Sequence, residues 1–474
     1  MRSITIVGAG VAGLTIGYQL ARQEFDVTVL ECNDVVGGLG RSWHYGDFHF
    51  DVGPHRFHTE NPRVDKFVRE VLQEDAVEIS RKNGVRMFGR FHDWPLRPSI
   101  LKAMPISLML RSAKDLLFKE KLEGESFEAD VVNKYGRTLY EIFFKPYTEK
   151  FLFYSPHELH RDWARAGVNR AVIDKRSESD GLWSLLKNTL LPKPVNTTFL
   201  YPPTGVGRFS ERLAEGIEKL GGRVLLGRRV TGLATRGPRI VGINAGREHF
   251  ACDNVVWTAP ITLANSLLGI AGVDLEYLST IFYNLEIDVP AKHDFQWTYY
   301  GGDEIFSRVS TPVVFAGTMA PQGRSGLCVE FTCREGDERW QQPERYTEAV
   351  IGDLVRTGTI DRADQVQQVH IERVPFTYPI YKINYLGELT RNLKALGRFS
   401  NLLLAGRCGR FWYNNMDHSI GQGLTMADKI RKGQMLNQID SADREFWAET
   451  IGRSATGVSQ IGSAIMLLPM LLGA

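Results

Sequence analysis

The sequence predicts an α/β fold in which a discontinuous Rossmann-like domain carries an inserted helical lobe and an antiparallel-sheet lobe. Three observations predict it: an amino-terminal strand–glycine turn–helix–strand unit, an amphipathic helical pattern after residue 60, and alternating patterns from about residue 286. We therefore expect the dinucleotide-binding domain over 1–60, 201–285 and 396–440, the helical lobe over 61–200, and the sheet lobe over 286–395.

The amino-terminal unit contains a nucleotide-binding fingerprint with each part in order. A β-branched run over residues 3–7 leads into Gly8-Ala-Gly10-Val-Ala-Gly13, a helical segment, and a strand followed by Glu31. Gly8 permits a tight turn, Gly10 lets the backbone approach a pyrophosphate, and Gly13 allows close helix–strand packing. The helix amino terminus then offers unpaired N–H groups to the phosphates, and Glu31 can accept hydrogen bonds from ribose hydroxyls.

The segment after Glu31 indicates FAD as the dinucleotide. Val36-Gly-Gly38-Leu-Gly-Arg41 follows the acid directly, and in the large flavoprotein class that this resembles, such a glycine pair with a nearby Arg lines the flavin diphosphate and ribityl chain. The phosphate-site pattern returns at Tyr201–Gly207, before a helix and a strand region that reaches Val230. We include Gly38, Arg41 and Val230 among the cofactor-binding residues. No His or Cys stands in a context that argues for a covalent link, so we expect FAD to bind non-covalently.

Composition excludes several classes of protein. The 57 Lys and Arg residues balance 55 Asp and Glu residues, and a net charge of +2 gives no overall field for nucleic acid. Five cysteines, odd in number and without metal-ligand spacing, predict neither a disulfide framework nor a metal site. No secretory signal pattern precedes the first strand, so the cytoplasm is the predicted location.

The segment 441–474 is predicted to be an apolar tail. No charged residue occurs from Ser454 to Ala474, and the run Ile465–Leu472 is strongly apolar. That run is shorter than the roughly 20 residues that a membrane-spanning helix needs, and Pro469 interrupts it. Two interpretations remain open: the tail packs on the body or on a second subunit, or it makes a peripheral membrane contact.

Four segments resemble the UDP-galactopyranose mutases, within the wider amine oxidase and protoporphyrinogen oxidase superfamily of FAD proteins. Gly53-Pro-His-Arg-Phe-His-Thr-Glu-Asn61 resembles a Gly-Pro-His-x-Phe-His-Thr-x-Asn stretch of that family. Residues 139–150 and 376–380 look like its helical-lobe and Tyr-Pro-Ile elements, and 406–420 runs without a gap against its flavin-site motif. Together these segments thread residues 1 to about 430.

The resemblance implies an enzyme that is redox-neutral overall but works only with reduced FAD. Flavin N5 then attacks the anomeric carbon of a nucleotide-linked sugar, and the nucleoside diphosphate leaves. Such an enzyme also requires a reductant, either NAD(P)H or a reductase.

Five candidate catalytic residues come from the same resemblance. His55 and His58 follow the first flavin loop, where an imidazole could contact the isoalloxazine. Arg308 matches the arginine that binds the phosphates of the sugar nucleotide, and its planar fork suits them. Tyr378 and Tyr413 match tyrosines that frame the sugar and the diphosphate.

The carboxyl-terminal motif adds flavin contacts. Arg407 matches a flavin-contacting arginine, and the Asp417-His418-Ser419 variant of the motif is closer to the eukaryotic branch of the family. A helix that starts near His418 to Gly421 would aim its positive end at the flavin pyrimidine and favour the anionic reduced form. A second phosphate-binding arginine is expected among Arg161, Arg165 and Arg170.

Two departures from the family pattern leave other functions open. Leu152 stands where the family has Trp, and Phe306 replaces a Tyr, which removes a hydroxyl; both positions are expected where substrate binds. A second interpretation is an oxidoreductase of the amine oxidase or protoporphyrinogen oxidase kind, which removes hydride to flavin N5. A third is a flavin-bearing assembly component docked by its tail. Two arginines converging on the flavin's open face would favour the mutase, and a dry pocket the oxidase.

Overall fold

The computed structural model describes residues 3–94, 104–118, 120–164 and 198–433. The predicted apolar tail lies outside the described residues, as do Arg165 and Arg170. In the part of the chain that is described, no helix is both long and apolar enough to cross a membrane.

A five-stranded parallel sheet forms the centre of the dinucleotide-binding domain. Most of its side chains are buried, as a parallel sheet covered on both faces requires, and the least buried strand is the edge strand Arg223–Leu225. The strands come from three separated parts of the sequence, so this domain is discontinuous. In spatial order they are Leu402–Leu404, Val255–Trp257, Ser3–Val7, Asp26–Leu30 and Arg223–Leu225.

The first helix of this domain, Val11–Ala21, packs against two later helices, Gly207–Lys219 and Met416–Arg431. Close approach between the first and the last depends on Gly423. A Cβ added there would lie 2.9 Å from the Cβ of Thr15. The carboxyl-terminal helix is thereby held against the helix that begins at the glycine loop.

A second, seven-stranded sheet faces this domain. Every neighbouring pair is antiparallel except Trp297–Tyr300 with Asn83–Met87. In spatial order its strands are Val366–Pro379, Tyr277–Ile287, Ser325–Cys333, Arg308–Ser310, Trp297–Tyr300, Asn83–Met87 and Arg90–Trp94.

The edge of this sheet differs from the predicted boundaries. The sequence placed residues 83–94 in the helical lobe, but they form a hairpin of the sheet, and the strand Tyr277–Ile287 begins before the predicted boundary at 286. Phe88 and Gly89 both have positive φ, at 52° and 73°, which closes the hairpin. Its outer strand mixes charged and aromatic residues, so the alternation is obscured.

The remaining elements complete the three parts of the molecule. The helices of the predicted helical lobe are Pro62–Leu72, Ile106–Leu117, Phe127–Tyr135 and Lys145–Leu152. Smaller sheets are formed by Ser42–Tyr45 with Phe48–Asp51, Val77–Ser80 with Thr198–Tyr201, and Val230–Arg236 with Arg239–Ala245 and Glu248–Ala251. Further helices are Ile261–Leu267, Pro312–Phe315, Glu338–Gln341, Thr347–Arg356, Tyr385–Leu396 and Gly406–Gly409.

Asp51 is a buried carboxylate that ties the first hairpin to the segment 201–207. It accepts hydrogen bonds from Ser42 Oγ at 2.6 Å, Tyr201 OH at 2.7 Å and the Val206 N–H at 3.0 Å. Burial raises the pKa of Asp51 to about 6, although the three hydrogen bonds favour the ionised form. Two segments that are 150 residues apart in the sequence are therefore joined by one side chain.

Replacing Asp51 by Ala should lower the free energy of unfolding by ~2–4 kcal/mol, because three buried donors lose their acceptor. Urea unfolding of the FAD-loaded protein, followed by circular dichroism, measures this. Asp47→Ala, on the exposed turn of the same hairpin, is the matched control. Equal urea midpoints for the two variants would contradict the assigned role.

The raised pKa of Asp51 should also make the free energy of unfolding depend on pH. Its folded pKa of about 6 lies above the ordinary value of 3.8 for an aspartate, so the native state keeps a proton that the unfolded chain loses between about pH 4 and pH 6. Its contribution to the free energy of unfolding therefore falls as pH rises through this window. Asp51→Ala should lack that slope relative to Asp47→Ala.

Candidate active site

The glycine loop forms a cradle at the start of the helix Val11–Ala21. A Cβ added at Gly13 would lie 2.2 Å from the carbonyl oxygen of Gly8, so this turn closes only with glycine. Gly10 differs, because a Cβ there would meet nothing within 4 Å. No side chain caps this helix, so its first N–H groups face the open space beside Gly10. This shape suits a pyrophosphate.

A second glycine loop closes the cradle. The Gly37 N–H donates to the Ala9 carbonyl at 2.8 Å, and a Cβ at Gly38 would lie 3.2 Å from the Cα of Gly10. Arg41 Nη1 donates to the Gly38 carbonyl at 3.1 Å, and burial lowers the pKa of this arginine. The structure thus brings Gly38 and Arg41 beside Gly10.

Glu31 organises the adjacent part of the site. It is buried, its Oε2 accepts the Ala9 N–H at 2.7 Å, and its Oε1 accepts the Asn33 N–H at 3.0 Å. The Arg228 N–H donates to the Glu31 carbonyl at 2.6 Å, which brings the half-buried Val230 to the same side. Contact of Glu31 with a ribose remains a prediction. Besides the two backbone N–H groups, its Oε1 accepts from Asn33 Nδ2 at 2.6 Å and from the Cys32 thiol at 3.3 Å.

Thr258 is a contributor that sequence reasoning did not single out. Its Oγ1 lies 2.9 Å from the carbonyl oxygen of Val7 and 3.1 Å from that of Gly8. It also packs against Gly406, whose φ is 78°. The signal was present, because Thr258 directly follows a buried strand whose carboxyl end reaches the cradle.

The carboxyl-terminal helix begins at Met416, two residues before the predicted start near His418. The reason is Asn415, a favoured helix N-cap residue, whose N–H donates to His418 Nδ1 at 3.4 Å. Asp417 Oδ1 lies 3.2 Å from the same nitrogen, and Ser419 Oγ is 3.3 Å from Asn414 Oδ1. The three predicted flavin contacts thus lie in the first turn.

Two arginines converge on Tyr378. Arg308 Nη2 donates to the Tyr378 hydroxyl at 3.3 Å, and the Arg407 guanidinium lies 5.0 Å from the Tyr378 ring and 4.4 Å from that of Tyr413. Arg407 also donates to the carbonyls of Asn414 at 3.0 Å and Thr377 at 2.6 Å. Its Nε is buried and has no hydrogen-bond partner among the described residues.

Arg308 has a carboxylate partner that was not predicted. Its Nε and Nη2 each lie 2.6 Å from an oxygen of Glu330, which is 3% exposed. Burial alone would lower the pKa of Arg308, but Glu330 holds it well above its ordinary value. An acid within the fully buried strand Ser325–Cys333 was the sequence signal for such a pair.

The structure separates the two predicted histidines. His55 Nδ1 lies 3.1 Å from the Gly53 carbonyl, and burial, with Arg308 and Arg407 nearby, lowers its pKa to about 4. His55 is therefore a neutral imidazole beside both arginines. His58 is exposed and packs edge-on against Phe199, with ring centroids 5.1 Å apart, so it lies outside the arginine cluster.

Aromatic side chains line the cluster. Phe151 lies 4.9 Å from Tyr378, and Trp163 stacks on Tyr413 at 4.8 Å. The ring of Tyr147, whose pKa burial raises well above its usual value, lies 6.4 Å from that of Tyr299. Of these residues, only Tyr378 and Tyr413 were predicted as site residues, because the family resemblance marked those two positions and none of the others.

Both expected departures at the substrate site prove to be core positions. Leu152 is completely buried in a hydrophobic cluster, while its neighbour Phe151 contacts Tyr378. Phe306 is also completely buried and packs edge-on against Tyr300 at 4.9 Å. Arg161 forms an ion pair with Glu125, whose side chain is 60% exposed, so it does not join the cluster.

The cradle, the buried arginine cluster and the fold define an FAD-dependent enzyme. The open space at Gly10 fits the dinucleotide pyrophosphate, and the unpartnered Nε of Arg407 fits a further acceptor. The chain belongs to the flavin-containing amine oxidoreductase family, which it matches over residues 11–431. Family and fold together confirm the predicted fold class and cofactor.

Similar proteins include both enzyme types considered above. A probable UDP-galactopyranose mutase of Klebsiella pneumoniae is 30% identical over 168 residues, 33% of this chain and 43% of the mutase. A phytoene dehydrogenase of Streptomyces griseus is 26% identical over 303 residues, 56% of each chain. The matched parts thus span about half of these relatives, and their activities do not transfer directly.

Solved structures confirm the fold. A reduced UDP-galactopyranose mutase superposes with a TM-score of 0.75 at 19% identity, covering 92% of this chain and 95% of the mutase. A putative protoporphyrinogen oxidase from Exiguobacterium sp. 255-15 gives 0.70 at 18% identity, covering 91% and 99%. At these identities the likeness concerns the fold alone.

Replacing Gly10 by Val should abolish FAD binding without unfolding the protein. The added side chain meets no protein atom near its Cβ, and Gly10 has an ordinary φ of −74°, so the clash falls on the pyrophosphate alone. Flavin absorbance per protein measures the loss, and circular dichroism checks the fold. Gly352→Val, at an exposed helical glycine with open space, is the control. A fully yellow Gly10→Val protein would overturn this assignment.

Proposed function

We propose that this protein is a mutase-like enzyme that interconverts pyranose and furanose forms of a nucleotide-linked sugar with reduced FAD. The observation that carries this proposal is the convergence of Arg308 and Arg407 on the hydroxyl-bearing side chain of Tyr378. Two arginines at one buried tyrosine suit a diphosphate, which carries two negative charges and many acceptor oxygens.

The charges of the cluster support an anionic leaving group. Glu330 offsets the charge of Arg308, and Arg407 is held by carbonyl groups that carry no charge. One net positive charge therefore remains. Arg308 Nη1 has no hydrogen-bond partner among the described residues, and the neutral His55 beside it can accept a hydrogen bond at its second nitrogen.

Reduced FAD, when bound, supplies a nucleophilic N5 toward the anomeric carbon. The residues of this chain would hold the glycine-loop pyrophosphate through Gly8, Gly10 and Gly13, and the pyrimidine end through the helix turn at Asp417. Arg308, Arg407 and Tyr378 would hold the departing diphosphate. The buried setting strengthens these interactions because little water screens them.

The alternative is an oxidoreductase that removes hydride from a small or apolar substrate. The observation that favours it is the bidentate Arg308–Glu330 pair, which neutralises one of the two cations within a wall of aromatic rings. In that case the arginines hold the flavin site together, and the substrate contacts Phe151, Trp163 and Tyr413.

Turnover of nucleotide sugars should require reduced flavin. FAD-loaded protein, reduced with dithionite under anaerobic conditions, is expected to isomerise at least one member of a panel of UDP-, GDP- and dTDP-sugars, with products separated by chromatography. The oxidised sample is the control and should be inactive. Activity of both samples, or binding of no nucleotide in either state, would favour the oxidoreductase.

Arg308→Ala should weaken binding of the active nucleotide sugar by about tenfold to a hundredfold, the range for hydrogen bonds to charged groups, and leave the flavin spectrum unchanged. The substitution also leaves the buried Glu330 carboxylate without its cation, so the free energy of unfolding should fall. The double variant Arg308→Ala/Glu330→Gln separates these effects, because it removes the stranded charge. If the double variant recovers stability but still binds weakly, Arg308 contacts the ligand. If binding recovers as well, Arg308 does not contact the ligand.

A further inference from the structure

Arg56 is a half-buried guanidinium without a carboxylate partner among the described residues. Its Cζ lies 3.9 Å from the ring centroid of Phe199 and 4.4 Å from that of Trp297. Its hydrogen bond goes to Asn83, with Nη1 and Oδ1 3.3 Å apart. Burial, and then the neighbouring Arg81 cation, lower the pKa of Arg56 to about 9.

Two other half-buried arginines, Arg308 and Arg86, each pair with a carboxylate. Arg308 pairs with Glu330, and Arg86 lies 2.9 Å from Glu304, both glutamates being almost fully buried. A charge removed from water ordinarily needs such a partner. Arg56 instead has aromatic rings on its faces, and its hydrogen bond among the described residues goes to the neutral Asn83 amide.

Two more donors beside Arg56 lack acceptors. Asn83 is 3% and Trp297 is 6% exposed, and Asn83 Nδ2 and Trp297 Nε1 are buried without partners among the described residues. The two residues are partners across neighbouring strands, so their side chains leave the same face of the sheet. Because Asn83 Oδ1 already accepts from Arg56, Nδ2 is the end that needs an acceptor.

We propose that Arg56, Asn83 and Trp297 form a subsite for an oxyanion group of the substrate, either a phosphate or a carboxylate. A cation and buried N–H donors without acceptors are matched by an oxyanion and by few other groups. Arg56 stands at the variable position x of the Gly-Pro-His-x-Phe-His pattern. An arginine there is therefore not part of the family pattern. The subsite does not depend on whether the reaction is isomerisation or hydride removal.

The sheet connects this subsite to the arginine cluster. Trp297 and Tyr299 lie on one face of the same strand, and Tyr299 is the cross-strand partner of Arg308. Two residues along a strand span about 7 Å. A ligand that contacts both Arg308 and the Arg56 subsite therefore carries an anionic group about 7 Å from the part that contacts Arg308.

Titration calorimetry of the FAD-loaded enzyme with orthophosphate and with acetate, at constant ionic strength, tests the subsite. At least one anion should saturate the wild-type protein, and Arg56→Met should weaken its binding roughly tenfold or more. Arg63→Met, which removes an exposed arginine paired with Asp428, should change affinity less than about twofold. The anion that binds more tightly indicates whether the substrate group recognised is a phosphate or a carboxylate.

A second variant keeps the aromatic contact and removes one donor. Trp297→Phe should weaken the same anion roughly threefold to tenfold and leave the flavin spectrum unchanged. Saturable binding of neither anion to the wild type, or equal binding by Arg56→Met and Arg63→Met, would overturn the proposal. Loss of FAD from Arg56→Met would also overturn it, because the group recognised would then be the flavin.

Discussion

The ion pair between Arg308 and Glu330 is the interaction on which the site depends. Both side chains leave the inward face of the seven-stranded sheet, and their strands pair directly at these positions. A charge buried alone there would be costly, so each residue requires the other. Gly53 must be a glycine partly for this reason, since a Cβ would lie 3.2 Å from both Arg308 Nη2 and Glu330 Oε2. Tyr378 and His55 then take their places around the pair.

The same pair sets the electrostatics of the inward face. Because Glu330 offsets Arg308, the charges left for a ligand are those of Arg407, near the flavin motif, and Arg56, beside Trp297. Both arginines are held by aromatic rings and neutral acceptors. His55 stays neutral because burial, with Arg308 and Arg407 nearby, lowers its pKa to about 4. The face therefore favours anions while its histidine accepts or donates hydrogen bonds without adding charge.

Sequence alone predicted the features that local rules determine. The glycine loop, Glu31 and the strand ends follow from spacing within about 40 residues, and the structure places them together. Pairing across the chain was not predictable in that way. The hairpin at 83–94 joins a sheet whose next strand is more than 200 residues later, and Glu330 meets Arg308 only through strand register. Leu152 and Phe306 were misplaced because sequence position does not reveal which side of an element faces the site.

Substrate charge separates the two reaction classes more sharply than the flavin does, because either chemistry uses the same N5 position. An apolar hydride donor would leave Asn83 Nδ2 and Trp297 Nε1 without acceptors, and such losses are costly in a buried site. An anionic substrate would satisfy them and offset the remaining positive charge. If the proposed subsite binds substrate, this arrangement suits a nucleotide-linked sugar better than an apolar substrate. An oxidoreductase built on this face would also need a substrate that carries an oxyanion.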